Sequence, residues 1–481
     1  MWRPLDEWAK GHNTYAGSVA LVLLFPALGG LLFGYDIGAT ALVVLSLQDP
    51  AAAGVIWGER IEESTLLRGL FTASVVGGAL VGTLIVLFGA ADALGRRREL
   101  LVAAGLYGVG GLLEFASGVK AWDKQGGLVL ALIARWIYGC GIGFAMHAAP
   151  AYLGEMTAPS LRGTVVALKE AAIVLGILLG QVAGLALRNV EGGWKWAYGL
   201  TVPLALVMAA GMYALPPSCR WLGLRGQWDE AENSLRFFLR SGVGACVEEI
   251  KASCGHGEDT RATLLAPVAA GRRQGGWRQR AGALLGRRYR WPLLVGLGVV
   301  TFQQISGQPS VLYYTGEVLN DVGLADSATL GVGGFKLIAT MLSVVTVERF
   351  GRRRLLLVGT AMMLLALLAL AVSFHFYDTA AVGGNSAALN AAIIVGFILY
   401  IGGYQVGFGP VAWILVSEIF PLEVRGETVA LAVCCNFLFN LIVTFVFDSL
   451  RILLGTSGTF SLFGVICAVA LLFIFVLGTC C

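Results

Sequence analysis

The stretch DALGRRR at residues 92–98 returns in the second half of the chain as ERFGRRR at residues 348–354. Each copy has an acidic residue three positions before a glycine, and three arginines directly after that glycine. Each copy also lies between two apolar stretches long enough to cross a lipid bilayer. One basic loop of this kind is ordinary, but its repetition indicates a membrane bundle made of two copies of one design.

The composition is that of a membrane protein. The 481 residues are 57% hydrophobic and 13% charged, with a mean hydropathy of +0.77. Soluble domains carry about a quarter charged residues, so an ordinary cytosolic enzyme is excluded. A helix needs roughly 20 apolar residues to cross a bilayer. Twelve stretches meet this requirement, and we predict helices at 17–47, 66–90, 99–118, 128–153, 163–187, 195–216, 291–317, 327–347, 354–376, 389–417, 427–449 and 458–479.

The predicted fold is an all-α membrane protein with twelve transmembrane helices in two six-helix, pseudo-symmetric bundles. The bundles occupy 17–216 and 291–479, after a short N-terminal segment at 1–16. A second matched pair supports the duplication: EMTAPSLRG at 155–163 corresponds to EIFPLEVRG at 418–426. In both, an arginine and a glycine follow seven and eight residues after the glutamate.

Basic residues concentrate in the loops after the even-numbered predicted helices. The linker at 217–290 adds thirteen Lys or Arg residues, and residues 229–240 within it are predicted to form a short amphipathic helix. The positive-inside rule therefore places these loops and both termini in the cytoplasm. The sequence does not identify the membrane, which can be vacuolar, the plastid envelope or the plasma membrane.

Matched acids and arginines at the cytoplasmic helix ends are interpreted as an inner gate. Carboxylate–guanidinium clusters can hold two bundles together on one side and separate when the bundles tilt. The alternative for any single loop is charge that only sets topology. The residues assigned to the gate are Asp92, Arg96, Arg97, Glu155 and Arg162 in the first half and Glu348, Arg352, Arg353, Glu418 and Arg425 in the second.

Two charges lie inside predicted membrane helices. Asp36 is in the first helix, and Arg135 in the fourth is followed by Gly139, Gly141 and Gly143, which allow close packing. Intramembrane charges are costly and mark functional sites by default, so a buried, proton-coupling Asp36–Arg135 pair is predicted. The alternative is a static structural ion pair. Glu114, near the outer end of its helix, is expected to reach interfacial water.

Polar side chains gather in the second half. Gln303 and Gln304 precede Pro309, which is expected to break the helix; Asn436 and Asn440 lie one turn apart, and Trp413 supplies an indole face. Amides and an aromatic face suit sugar hydroxyls and ring faces, so these residues are substrate-binding candidates. A polar helix-packing seam is the alternative for the two asparagines. The candidates also include Gln181, Glu170 and Lys336, of which the last two place one charge in each half.

No metal, cofactor or catalytic constellation is expected. The nine cysteines show no paired spacing, and Cys246, Cys254 and His256 match no zinc site. No nucleophile–base arrangement indicates an enzyme. The expected partners are a monosaccharide, a proton as coupling ion and the lipid bilayer, with no nucleic acid, and the protein is expected to be a monomer.

Together these motifs resemble the sugar-porter branch of the major facilitator superfamily across residues 17–479. The match is closest to its plant and algal D-xylose–proton symporter-like subgroup, which includes vacuolar and plastidic glucose transporters. The motifs are GYD at 34–36, D-x-x-GRRR at 92–98, R-x-x-x-G-x-G-x-G at 135–143, P-x-Y-x-x-E at 150–155, QQ-x-S-G at 303–307, YY at 313–314, G-P-x-x-W at 410–413 and E-x-x-P-x-x-x-R-G at 418–426. The resemblance implies an alternating-access, proton-coupled carrier of a hexose or pentose such as glucose or xylose.

By resemblance, Gln303, Gln304, Trp413 and Asn436 contact the sugar, while Tyr313 and Tyr314 form an outer gate. Three positions depart from the family pattern, because Glu170, Pro309 and Lys336 stand where amides are common. We expect Glu170 and Lys336 to face each other across the cavity. A passive facilitator, a non-transporting sugar sensor and an organic-anion carrier remain alternatives.

Overall fold

The computed structural model describes residues 15–156, 162–248, 250–251, 289–311, 326–379, 387–420 and 425–477. Nearly all regular structure in these ranges is α-helical. The main helices are α1 (Ala16–Gln48), α2 (Thr65–Ile85), α3 (Arg96–Ser117), α4 (Gly126–Met156), α5 (Arg162–Leu187), α6 (Thr201–Ala214), α7 (Arg290–Ile305), α8 (Asp326–Phe350), α9 (Arg352–Thr379), α10 (Ala387–Val406), α11 (Phe408–Ile419) and α12 (Arg425–Leu477). Short helices connect them at Pro50–Ala53, Gly58–Glu63, Ala91–Leu94, Gly193–Gly199, Cys219–Leu224 and Trp228–Phe238.

The protein is an all-α, multi-pass integral membrane protein. Within the described ranges, nine helical stretches are long and apolar enough to cross a membrane. The last of them, Thr428–Val476, is 49 residues long and contains a non-helical residue, Gly455, with φ +72°. A straight helix of that length would measure about 70 Å, more than twice the roughly 30 Å hydrocarbon core, so the kink divides α12 into two membrane-length segments.

Glycines set the distance between α1 and α5. A Cβ atom on Gly34 would lie 1.8 Å from the carbonyl oxygen of Ile173, and one on Gly38 would lie 2.0 Å from that of Ile177. The contact is reciprocal, because a Cβ on Gly176 would lie 2.1 Å from the carbonyl oxygen of Leu31. We call such a line of glycines packed against a neighbouring backbone a glycine seam. The two backbones therefore touch directly, which is how helices associate closely in a membrane.

A second glycine seam joins α2 to α4 and places Arg135. A Cβ on Gly139 would lie 2.0 Å from the carbonyl oxygen of Val75, and one on Gly143 would lie 2.5 Å from that of Ala79. Gly139 is one helical turn after Arg135, so this contact holds the base of the arginine close to α2. The sequence predicts close packing at these glycines, and the structure confirms it.

The two arginine stretches make equivalent contacts in the two halves. Gly95 (φ +75°) and Gly351 (φ +79°) both adopt the left-handed conformation that favours glycine and begin a helix. The second arginine after each glycine then bonds a late carbonyl of its own half. Arg97 Nε donates to the Met212 oxygen at 3.1 Å, and Arg353 Nη2 donates to the Phe475 oxygen at 2.9 Å. We call this side of the molecule the basic end.

The two predicted halves contact each other mainly through two helix pairs, α2 with α12 and α5 with α8. At the first pair, a Cβ on Gly69 would lie 2.9 Å from the Phe445 carbonyl oxygen. The linker forms a helix at Trp228–Phe238, close to the predicted 229–240. Ser234 on it donates to the Pro217 oxygen at 2.5 Å, so this helix is attached to the end of the first half.

The glycine seam yields a direct test. Gly34→Ala should destabilise the protein by about 1–3 kcal/mol, because its methyl group would overlap backbone that cannot rotate away. Gly105→Ala is the matched control, since a Cβ there meets nothing within 4 Å. We expect Gly105→Ala to leave the thermal unfolding midpoint of detergent-purified protein unchanged or higher, because alanine is the better helix former. Equal midpoints for the two variants would contradict the seam.

Candidate functional site

A cavity of about 490 Å³ lies between the two predicted halves. This volume is in the range of small-molecule sites, roughly 300–1,000 Å³. Both halves line its inner part, through Phe33, Ile37, Met146, Lys169, Glu170, Gln303, Gln304, Lys336, Trp413, Asn436 and Asn440. It extends to the basic end, where Arg96, His147, Glu155 and Arg220 line it. The cavity therefore links the middle of the bundle with one face of the protein.

Four amides form a connected network on one wall. Gln303 Nε2 donates to the Phe408 carbonyl at 2.8 Å, and Gln303 Oε1 accepts from Gln304 Nε2 and from Asn436 Nδ2, both at 3.2 Å. Asn440 Nδ2 donates to Gln304 Oε1 at 3.3 Å. These bonds join α7 to α12 and orient each amide before any ligand arrives. Fixed donors and acceptors of this kind suit a polyhydroxylated ligand.

The α7 break occurs two residues earlier than the sequence predicts. Pro309 does not break the helix; α7 ends at Ile305, Gly307 has φ +95°, and helical structure resumes at residue 308. Proline is compatible with a first helical turn, where its missing N–H would have no partner. The Tyr400 hydroxyl donates to the Ser306 carbonyl at 3.1 Å and fixes the break. Gly307 therefore supplies the turn, and the glutamines end their helix facing the cavity.

The indole of Trp413 does not stand alone. The ammonium of Lys169 lies 5.6 Å from the ring centroid, a cation–π contact from α5 of the first half to α11 of the second. Lys169 is 9% exposed and lines the cavity. The sequence reasoning missed this lysine, although it directly precedes Glu170. The aromatic wall thus includes a contact between the halves.

Glu170 and Lys336 line the same cavity from opposite halves. That they face each other across it stays a prediction. Neither side chain makes a hydrogen bond or an ion pair within 4.0 Å to another described residue. Each charge therefore lines the cavity without a direct ion-pair partner among the described residues. A ligand between them could receive charge-assisted hydrogen bonds from both sides.

Gln181 is buried elsewhere and is not among the residues that line this cavity. A Cβ on Gly333 would lie 2.1 Å from Gln181 Oε1, which places the amide at the α5–α8 contact. Its substrate-binding role stays a prediction. Tyr313 and Tyr314 lie outside the described residues, so the outer aromatic gate also stays a prediction.

Beside the cavity, Asp36 and Arg135 form a buried ion pair. Arg135 Nη1 lies 3.1 Å from Asp36 Oδ1, and the two side chains are 0% and 1% exposed. Phe33 and Ile37, on either side of Asp36 along α1, line the cavity. The cavity and the ion pair therefore both contact α1, and movement of α1 would reach both.

Arg135 also contacts Phe71, Tyr198, Thr40 and Glu114. Its Nε donates to the Phe71 carbonyl at 2.9 Å, Nη1 to the Tyr198 hydroxyl at 2.9 Å, and Nη2 to Thr40 Oγ1 at 3.2 Å. The fourth partner is Glu114, whose Oε1 lies 3.5 Å from Arg135 Nη1. The expectation that Glu114 reaches interfacial water is wrong. Its side chain is 2% exposed because Glu114 faces the bundle interior rather than the end of α3.

At the basic end, the described gate residues form a chain of contacts within the first half. Arg96 Nε lies 3.4 Å from Glu155 Oε1, and Arg96 Nη1 lies 3.7 Å from Glu99 Oε1. His147 Nδ1 lies 2.8 Å from Glu99 Oε2, and Ser218 Oγ donates to Glu155. Arg97 and Arg353 bond backbone carbonyls instead, as described above.

The other gate residues lie outside the part of the chain whose side chains the structure describes, apart from half-buried Arg352. These are Asp92, Arg162, Glu348, Glu418 and Arg425. A gate made of ion pairs between the halves therefore stays a prediction.

The opposite end carries an ion pair that the sequence reasoning missed. Arg68 Nε on α2 lies 3.8 Å from Asp448 Oδ2 on α12, and the aspartate side chain is 5% exposed. The pair connects the two halves at the end away from the arginine stretches. The available signal was a lone arginine and a lone aspartate at the matching ends of two predicted helices.

Comparison with known proteins agrees with this architecture. A sequence profile of the family described as "Sugar (and other) transporter" matches residues 22–481. D-xylose-proton symporter-like 3, chloroplastic, of Arabidopsis thaliana is 41% identical over 471 residues, covering 95% of this chain and 79% of that relative. The D-xylose transporter of Levilactobacillus brevis is 31% identical, covering 95% and 92%.

Solved structures of similar fold include the xylose transporter XylE from E. coli in a partially occluded, inward-open conformation. It is 25% identical with a TM-score of 0.76, covering 95% of this chain and 97% of XylE. XylE described as a proton:xylose symporter bound to 6-bromo-6-deoxy-D-glucose is 27% identical with a TM-score of 0.77, covering 96% of both chains. The fold and the cavity thus define a transporter of the major facilitator superfamily, not an enzyme.

Within that class, the chain belongs to the sugar porter family. The resemblance to the D-xylose–proton symporter-like subgroup is confirmed by the Arabidopsis relatives.

The separated charges in the cavity yield the second prediction. Glu170→Gln or Lys336→Gln alone should weaken sugar binding tenfold or more, about 1.4 kcal/mol, because each leaves one uncompensated charge in the cavity. The charge swap Glu170→Lys with Lys336→Glu should lose less than either single change. Binding can be followed by calorimetry on purified protein, with Glu63→Gln on an exposed helix end as control. Equal losses in all three variants would refute a joint role.

Proposed function

We propose that this protein is a proton-coupled monosaccharide transporter that works by alternating access, with a pentose or hexose such as xylose or glucose as substrate. The observation that carries the proposal is the buried Asp36–Arg135 pair directly behind an amide-lined cavity. A titratable group that is dry in one state and hydrated in another can couple proton binding to a conformational change. The names of the Arabidopsis and Levilactobacillus relatives support the choice of sugar and of proton.

The proposal includes a topology. We take α12 as two crossings, α10 with α11 as one, and α7 and α8 as one each. Twelve crossings then form six-helix halves at 17–216 and 291–479, joined by the cytoplasmic linker 217–290. Both termini and the basic end face the cytoplasm, as the positive-inside rule requires. The chain then has the inverted and parallel repeats of this class of carrier, with substrate near the midplane.

In this proposal, the described conformation has its cavity on the cytoplasmic side. The Arg68–Asp448 pair and the α2–α12 contact close the opposite side. Sugar bridges the halves, bonded to Gln303, Gln304 and Asn436 on one wall and to Glu170 on the other. Tilting of the halves would separate Arg68 from Asp448 and bring the basic-end clusters together.

Transport by purified protein in liposomes tests the proposal. Glucose, xylose, galactose and fructose are supplied in turn, with and without an imposed pH gradient. We expect accumulation of at least one sugar above its external concentration, abolished by a protonophore. Equilibration that ignores the gradient would make the protein a passive facilitator, and no uptake of any sugar would favour a sensor or an anion carrier.

Asp36→Asn provides the third prediction. Asparagine keeps the shape of the side chain but cannot ionise, so proton-driven accumulation should fall to the equilibrium level while sugar counterflow persists. Asp229→Asn, on the exposed face of the linker helix Trp228–Phe238, is the control and should accumulate sugar as the wild type does. Undiminished accumulation by Asp36→Asn would refute its coupling role.

A further inference from the structure

Two carboxylates, not one, surround the buried arginine. Arg135 Nη1 lies 3.1 Å from Asp36 Oδ1 and 3.5 Å from Glu114 Oε1, and the three side chains are 0%, 1% and 2% exposed. The second oxygens, Asp36 Oδ2 and Glu114 Oε2, are buried and make no hydrogen bond to any described residue. A buried oxygen without a donor costs far more free energy on an ionised carboxylate than on a neutral carboxyl group, so this geometry disfavours ionisation of both acids.

The neighbouring tyrosines do not supply the missing donors. The hydroxyl of Tyr35 donates to the Ala197 carbonyl at 2.7 Å, that of Tyr107 to Gly29 at 3.0 Å, and that of Tyr138 to Leu32 at 2.9 Å. The fourth hydroxyl, on Tyr198, accepts from Arg135 and shares a hydrogen bond with Thr40. Each of the four hydroxyls is therefore engaged away from the carboxylates. On α2, the charged residue nearest in sequence to Phe71 is Arg68, which pairs with Asp448.

The charge balance decides the number of protons. Arg135 carries one positive charge, so two ionised acids would give the cluster a net charge of −1 in a site without solvent contact. An uncompensated charge in such a site costs several kcal/mol. One proton on either acid makes the cluster neutral. Two protons would leave Arg135 without an anion.

We infer that Asp36 and Glu114 share one proton in the occluded cluster, and that Glu114 is a second carboxylate of the proton site. The inference rests on the proposed function and gives it a coupling rule. Binding of one proton from water makes the three-residue cluster neutral. A neutral cluster can lose its hydrating water, so the halves can close around it. Releasing that proton to water on the other side returns the cluster to −1, and this form must stay hydrated.

The coupling rule predicts a different result for Glu114 as part of the proton site than for Glu114 as a purely structural residue. In Glu114→Gln, the remaining Asp36–Arg135 pair is already neutral without a proton, so closure no longer requires one. We expect sugar accumulation in a pH gradient to fall to the equilibrium level, while counterflow stays within about twofold of wild type and loses its pH dependence. Accumulation at the wild-type level would overturn the inference. Glu63→Gln, an exposed carboxylate, is the control and should accumulate normally.

A second measurement counts the proton without transport. Infrared spectra of purified protein at neutral pH, in H₂O and D₂O, report the C=O stretch of protonated carboxyl groups. We expect a wild-type band that both Glu114→Gln and Asp36→Asn remove, because one acid beside Arg135 ionises, and that Glu63→Gln retains. A wild-type band that survives in Glu114→Gln, or no band at all, would overturn the inference.

The two measurements also separate this inference from the proposed function. If wild-type protein equilibrates sugar without regard to the gradient, proton symport fails, and the infrared band alone decides whether the proton is shared. If Glu114→Gln binds no sugar, the infrared comparison again decides. If the wild type and Glu114→Gln accumulate sugar equally, proton symport is supported and the role of Glu114 as a second carboxylate of the proton site is refuted.

Discussion

A guanidinium group buried in a membrane protein must find anions, carbonyl oxygens or aromatic faces within reach, and Arg135 imposes that requirement on the whole first half. Four helical segments besides its own supply these partners, through Asp36, Phe71, Glu114 and Tyr198. They can converge only because glycines let the backbones touch along α1–α5 and α2–α4. The packing of the apolar helices and the position of the titratable cluster are thus one constraint, and a change in either one moves the other.

The duplication means that the same stabilising contact recurs in both halves of the chain. Each half uses a left-handed glycine to begin a helix at the basic end and the second following arginine to bond a carbonyl of that half's last helix. These contacts tie the start of one helix to the end of another within each predicted half. The contacts between the halves include the Arg68–Asp448 pair, the Lys169–Trp413 cation–π contact and helix packing at α2–α12 and α5–α8. Polar contacts across a cavity can be exchanged for others at low cost, whereas the glycine seams within a half cannot.

The sequence predicts the features that are duplicated along the chain and the charges that are costly to bury in a membrane. The duplicated arginine stretches, the helix content and the Asp36–Arg135 pairing follow from spacing and from the cost of charge in a bilayer. It does not predict quantities that depend on rotation about a helix axis or on the tilt of one half against the other. The prediction that Glu114 reaches interfacial water is wrong because a residue's depth in the membrane follows from its position along a helix, whereas the direction in which it faces does not. For the same reason, the sequence does not predict the Lys169–Trp413 and Arg68–Asp448 contacts. The break at Gly307 instead of Pro309 has another cause, because glycine adopts the positive φ of the turn and proline is tolerated in the helical turn that follows.

The cavity and the proposed proton site share α1, which offers a physical route between them. Phe33 and Ile37 contact the cavity, and Asp36 lies between them in sequence but points to Arg135. α1 also touches α5 through bare backbone, and α5 carries Lys169 and Glu170 into the cavity. In the proposed mechanism, a ligand that draws Glu170 toward Lys336 shifts α5. The close backbone contact between α5 and α1 then passes that shift to α1. Hydration of the carboxylates would then depend on cavity occupancy, because a small displacement of α1 opens or closes the space beside Asp36. Coupling of sugar to proton needs no direct contact between them; it needs two helices packed too closely to move independently.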